Sequence, residues 1–141
     1  MHDIDGGAPR PITPEQIEPF LVSPDGSFAL ASGPDRARSM ALYPLNGGPP
    51  RAVQGLDRSD TPVQWSSNPN EIFVLTHGVP ARVFRFNLQT GRRTLWRELS
   101  PSDPAGLIDA AEDLRITPDG RTYVYKYYRN LSDLFLVSGL R

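Results

Sequence analysis

The sequence predicts an all-β chain built from repeated units of four short antiparallel strands. Three observations predict it. Apolar residues come in short runs of near-alternating spacing, each bounded by Gly, Pro, Asn or Asp, the pattern of strands joined by tight turns. The 141 residues include 12 glycines and 15 prolines with no period of three, a turn-rich composition that suits strands. A turn signature also recurs. Ser23-Pro24-Asp25-Gly26 and Thr117-Pro118-Asp119-Gly120 each precede an apolar run, and Trp65-Ser66-Ser67-Asn68-Pro69 holds the equivalent place between them.

In order, Phe20-Leu21-Val22 is the first predicted strand, and Phe28-Ala29-Leu30-Ala31 follows the Pro-Asp-Gly turn. Met40-Ala41-Leu42-Tyr43 comes third and ends at Asn46-Gly47-Gly48. Arg51-Ala52-Val53 is a short fourth strand, preceded by Pro49 and Pro50 as suits an outer edge. The order then repeats. Val63-Gln64-Trp65 alternates, Glu71 to Leu75 is a near-continuous apolar run, Arg82 to Leu88 alternates up to Gln89-Thr90-Gly91, and Thr94 to Arg97 is the fourth. A third set follows with Leu114-Arg115-Ile116, then Thr122 to Tyr127, then Leu134-Phe135-Leu136-Val137.

The spacings agree with this alignment. Ser23 to Ser66, Leu45 to Leu88 and Gly48 to Gly91 are each 43 residues. Ser66 to Thr117 is 51, and the extra residues fall in the predicted loop from Pro101 to Ala111. Within that stretch Ala105 to Glu112 has a helix-like composition after Ser102-Asp103-Pro104, but Gly106 and the short length predict a loop with at most one turn. Gly6-Gly7-Ala8-Pro9-Arg10-Pro11-Ile12 echoes Gly47 to Val53 at an offset of 41, which predicts a fourth strand near Arg10-Pro11-Ile12. The units are therefore 1–14 as the tail of a preceding blade, 15–55, 56–100, and 101–141 lacking its fourth strand. Four short strands per ~40–45 residues is the period of a β-propeller blade. The expected fold is a partial β-propeller of about three four-stranded antiparallel blades, with incomplete first and last blades. Closed propellers typically have about 4–8 blades. Three would leave apolar flanks open, and such patches mark association surfaces. The chain is expected to self-associate, either as two copies forming a six-bladed ring by exchange of the N-terminal strand or by aggregation.

Several strings carry a resemblance. Pro-Asp-Gly before a strand resembles the WD40-like repeats of TolB-type propellers. Gly120-Arg121-Thr122-Tyr123-Val124-Tyr125 and Leu131-Ser132-Asp133-Leu134-Phe135-Leu136-Val137-Ser138-Gly139-Leu140 are similar to the end of the C-terminal propeller attached to bacterial serine/threonine protein kinases. Asn87-Leu88-Gln89-Thr90-Gly91-Arg92-Arg93 followed by Trp96 is similar to the preceding blade of that group. The middle repeat departs from the pattern, with Asn68-Pro69 in place of Asp-Gly. The resemblance implies a kinase domain and a membrane span N-terminal to this sequence in the parent protein, and an extracytoplasmic location for the propeller.

Composition narrows the function. A net charge of −1, from 15 basic and 16 acidic residues, argues against a dedicated nucleic-acid or anionic-membrane binder. No run approaches the ~18 apolar residues of a membrane span, so no direct membrane insertion is expected. The absence of cysteine rules out disulfides and thiolate metal sites. Asp25 and Asp119 supply one carboxylate per turn where calcium takes about six to eight oxygens, so these are read as β-turns. No His-x-x-x-His or Glu-x-x-His spacing surrounds His2 or His77, and His77 reads as a solvated loop residue. Gly-x-Ser-x-Gly, His-Arg-Asp and Asp-Phe-Gly are all missing. No catalytic, cofactor or metal residue is expected, and no cofactor. Tyr123, Tyr125 and Tyr127 share one strand face, with Tyr128 beside them, and are read as inter-blade packing.

The remaining candidates are loop charges. In an up-and-down blade, the loop between the second and third strands emerges at the same end as the blade-to-blade connection. Arg36, Arg38, His77, Arg82 and Arg129 fall in or beside the former, and Asp57, Asp60 and Asp103 in the latter. These residues mark one mixed-charge face as the expected interaction surface. The expected function is a non-catalytic interaction or sensor module binding a protein, peptide or small ligand. The alternatives are the gating propeller of a serine peptidase and a self-assembling TolB-like binding protein.

Overall fold

The computed structural model describes residues 2, 5–33, 39–56 and 59–132. They form ten strands and no helix: β1 (Pro19–Val22), β2 (Phe28–Ser32), β3 (Met40–Pro44), β4 (Arg51–Val53), β5 (Asp60–Trp65), β6 (Glu71–Thr76), β7 (Ala81–Asn87), β8 (Arg93–Leu99), β9 (Leu107–Ile116) and β10 (Tyr123–Arg129). Three antiparallel sheets result, in the orders β1-β2-β3-β4, β5-β6-β7-β8 and β9-β10. The predicted strand Leu134 to Val137 and the residues Arg36, Arg38 and Asp57 lie outside the described residues.

The turn signatures fold as their chemistry dictates. Asp25 Oδ1 accepts the Ser27 N–H at 3.1 Å and the Ser23 hydroxyl at 2.6 Å. Those bonds, the Ser23 hydroxyl first, hold its carboxyl down at about 2. Asp119 repeats the arrangement with Thr117 and the Arg121 N–H, and its carboxyl is likewise lowered. Gly120 takes a φ of +70° that the turn requires. In the middle copy Asn68 substitutes for the aspartate, accepting the Asn70 N–H at 3.0 Å, while Ser66 Oγ accepts the Asn68 N–H at 3.0 Å. The side-chain bond of the turn is kept, but Pro69 has no N–H to repeat the bonds that Gly26 and Gly120 donate to Ser23 and Thr117, and the Glu71 N–H bonds the Asn68 carbonyl instead.

The sheets stack through two cores. Leu30, Met40, Leu42, Val53 and Leu56 of the first sheet region meet Trp65, Ile72, Val74, Phe86 and Leu88 of the second. The opposite face of the second sheet, with Phe73, Leu75, Ala81, Val83 and Leu99, meets Ala110, Ala111, Leu114 and Ile116 of the third. This explains the unbroken apolar run of β6: a strand covered on both faces has no polar side to show. Tyr123 and Tyr125 pack against the second core, and with Trp96 they form an edge-to-face and stacked series at centroid separations of 5.5 and 6.2 Å. The Arg97 guanidinium lies beside both rings, 5.2 Å from the Trp96 centroid and 5.1 Å from that of Tyr123.

Two expectations are corrected. Ala105 to Glu112 is not a loop with a single turn: from Leu107 onward it belongs to β9, a ten-residue strand. Its alanines are weak strand formers, but Ala110 and Ala111 are fully buried against the second sheet, and packing overrides propensity. Nor is there a strand near Arg10-Pro11-Ile12. Residues 5–18 are irregular, since Pro9, Pro11 and Pro14 remove the N–H groups a ladder needs. The segment instead covers the outer face of the first sheet, with Ile17 on Ala31, Ala41 and Tyr43.

Candidate functional site

Strand register gathers the loops at one end. Asp60 lies opposite Thr76, Thr76 opposite Arg82, and Arg82 opposite Glu98. The start of β5, the β6–β7 loop and the end of β8 therefore share one end of the second sheet. Ser32 opposite Met40, and Met40 opposite Val53, do the same for the first sheet. Arg129 opposite Leu107 brings the end of β10 to the start of β9.

At this end each of the predicted charges among the described residues has a partner of its own. Asp60 is not a connection residue on a loop face. It begins β5 with its side chain 1% exposed, accepting Arg93 Nη1 at 2.9 Å and the Thr76 hydroxyl at 3.3 Å. Arg93 also donates to the Gly55 carbonyl and lies 5.7 Å from the Phe86 ring centroid. A buried carboxylate must be paired in this way, so Asp60 is a strut of the fold. Arg82 donates through Nε to Glu98 at 2.9 Å, an exposed pair whose stability contribution is about 0–1 kcal/mol. Arg129 donates to Asp103 at 2.9 Å and stacks over Tyr127. The N–H of Ala105, then the Arg129 guanidinium, hold the Asp103 carboxyl below its ordinary value.

His77 is different. It is not a freely solvated loop histidine, because both ring nitrogens are engaged. Nδ1 lies 2.8 Å from Asp109 Oδ2, and Nε2 lies 3.1 Å from Thr61 Oγ1. A carboxylate only accepts, so Nδ1 carries a proton toward Asp109, and Nε2 shares a hydrogen bond with the Thr61 hydroxyl. Asp109 is itself fixed, with Oδ1 accepting the Ala111 N–H at 3.1 Å. The line joins β5, the β6–β7 loop and β9. Beside it a cavity of about 300 Å³ opens. Pro62, Val63, Leu75 and Leu114 give it an apolar wall, and Glu112, Asp113 and Arg115 a charged rim. Lys126 bonds Asp113 at 2.5 Å and lies 3.7 Å from Glu112. Asp113 is lowered chiefly by its bond to Lys126, and Lys126 is raised chiefly by the same bond.

A hydroxyl–imidazole–carboxylate line is the arrangement that activates a nucleophile. Here the residue after Thr61 is Pro62, which has no N–H. In hydrolases of this design that N–H is commonly one of the two donors that stabilise the oxyanion. Among the described residues no group of three or more His, Asp and Glu is placed to hold a metal ion, and no helix is long and apolar enough to cross a membrane.

Sequence reasoning singles out His77 but misses Thr61 and Asp109. The three lie 16 and 32 residues apart, a spacing that matches no local motif. No family model matches the chain, and no curated protein or solved structure matches it significantly.

Proposed function

We propose that this chain is a non-catalytic interaction or sensor module with β-propeller architecture. By its resemblance it is the C-terminal part of the propeller of a membrane-tethered bacterial serine/threonine kinase. Support for the propeller comes from two sheets in strict up-and-down order, from the repeated turn before each second strand, and from the stacking of sheets face to face. The first strands also neighbour one another, β1 against β5 and β5 against β9. In a propeller the first strands line the axis. The cavity beside His77, bounded by β5 and β9, is then an axial pocket, the place where such modules take a small ligand or a peptide end.

The observation that carries this reading is that the cavity sits at the β5–β9 junction, with Thr61 and His77 of the hydrogen-bonded Thr61–His77–Asp109 line at its lip. A donor–acceptor lip over an apolar wall selects a ligand by shape and hydrogen bonding. Pro62 argues for binding over turnover. In an NMR fragment screen, hits are expected to shift the amides of Thr61, His77 and Leu114. Hits that cluster elsewhere would overturn the axial-pocket reading. Turnover of p-nitrophenyl acetate that disappears in both His77→Ala and Thr61→Ala would overturn the non-catalytic one.

A further inference from the structure

At the opposite end of the second sheet lies a groove of about 490 Å³, lined by Glu71, Arg85, Asn87, Thr90, Arg92 and Thr94. Register sets these residues side by side, with Glu71 opposite Asn87 and Arg85 opposite Thr94. The polar groups that line it are mostly donors. Arg85 is held from behind: its guanidinium lies 5.4 Å from the Phe73 ring centroid, against the Gly120 turn. Among the described residues its ion-pair partner is Glu71, at 3.6 Å, beyond good hydrogen-bond distance. Asn87 is fixed by accepting the N–H groups of Gln89 and Thr90 through Oδ1, at 3.0 and 2.9 Å. That fixes the amide orientation and leaves Nδ2 as a free donor. Thr90 Oγ1 accepts the Arg92 N–H at 3.3 Å, so its O–H remains to donate. The Arg92 guanidinium and the Thr94 hydroxyl have no side-chain partner among the described residues.

We propose that this groove binds an oxyanion, the phosphate group of a small phosphorylated compound. Two guanidiniums, a carboxamide N–H₂ and two hydroxyls surround one volume, and only a group with several acceptor oxygens satisfies them together. A tetrahedral phosphate offers three, and guanidinium pairing with it is charge-assisted. The groove is larger than a bare phosphate, so the bound compound carries an organic group as well. Glu71 is the opposing charge in the wall, and it tempers affinity.

The proposal is independent of the axial pocket. It is tested by calorimetric titration of the intact chain at low salt with inorganic phosphate, glycerol 3-phosphate and acetate. Saturable binding of both phosphates is expected, glycerol 3-phosphate at least as tight as inorganic phosphate and acetate weakest. Arg92→Ala, at an exposed position with no fold contact to lose, is expected to weaken binding about tenfold with an unchanged melt. Glu71→Gln is expected to tighten it severalfold by removing the opposing charge. Three results would overturn the proposal: no saturable binding of either phosphate, affinity unchanged by Arg92→Ala, or affinity unchanged or lowered by Glu71→Gln in a variant that melts normally.

Discussion

Trp65 fills the core between the first and second sheets. Its ring is 3% exposed, and its indole N–H donates to the Pro69 carbonyl at 2.9 Å, tying the strand to the turn that follows. Replacing it with Ala leaves a large cavity and an unsatisfied carbonyl. A loss of about 3–5 kcal/mol is expected, read from the urea midpoint at constant slope. A loss under about 1 kcal/mol would mean the ring is not buried in solution. Trp65 was legible because an aromatic closing an alternating strand has one apolar face to occupy. The turn aspartates were legible because their bonding is local. The partners of His77 were not. Thr61 sits in a stretch that reads as a connection, and Asp109 in one that reads as a loop. Only the docking of the third sheet on the second brings them to one imidazole.

At the scale of elements, nine of the ten strands fall where the apolar pattern places them, with ends differing by a few residues. Of β9 only the end, Leu114 to Ile116, is predicted, and the cause is specific. Leu107-Ile108-Asp109-Ala110-Ala111-Glu112 has a helical composition, and its two adjacent alanines both face inward, which breaks the period-two pattern. The register of β9 with β10 shifts at three places, and Asp113 has a φ of +45°. These are bulges, and a bulge erases alternation from the sequence. What pins the strand is its entry. The Gly106 carbonyl accepts the Asn130 N–H at 2.8 Å, with Gly106 at a φ of +67°. A Cβ at Gly106 would run into the Asn130 carbonyl and Leu131. Gly106→Ala is therefore expected to destabilise by about 1–3 kcal/mol. Amide exchange in β10 should accelerate while exchange in β6 follows global stability alone. Equal acceleration in both strands would show that the entry turn is not a local clamp.

At the scale of the whole molecule, the two outer faces of the stack differ, and the difference decides how copies meet. The outer face of the first sheet is covered by its own chain through Ile17. The face of the third sheet turned away from the second core exposes Ile108 at 66% and Val124 at 65%. The exchange of an N-terminal strand, expected from sequence, lacks its strand, because residues 5–18 carry none. Association through the third sheet remains. An exposed apolar face pairs most simply with itself, and a two-fold dimer in which Val124 and Ile108 of each copy meet is expected. Light scattering over roughly 10–100 μM, the range in which a weak interface of this kind populates, is expected to show mass rising with concentration toward twice the monomer. Val124→Lys should hold the chain monomeric without lowering its melting temperature, since Val124 contributes nothing to either core. A strictly monomeric wild-type chain with a cooperative melt would refute the dimer. Association unaffected by Val124→Lys would place the contact on another face.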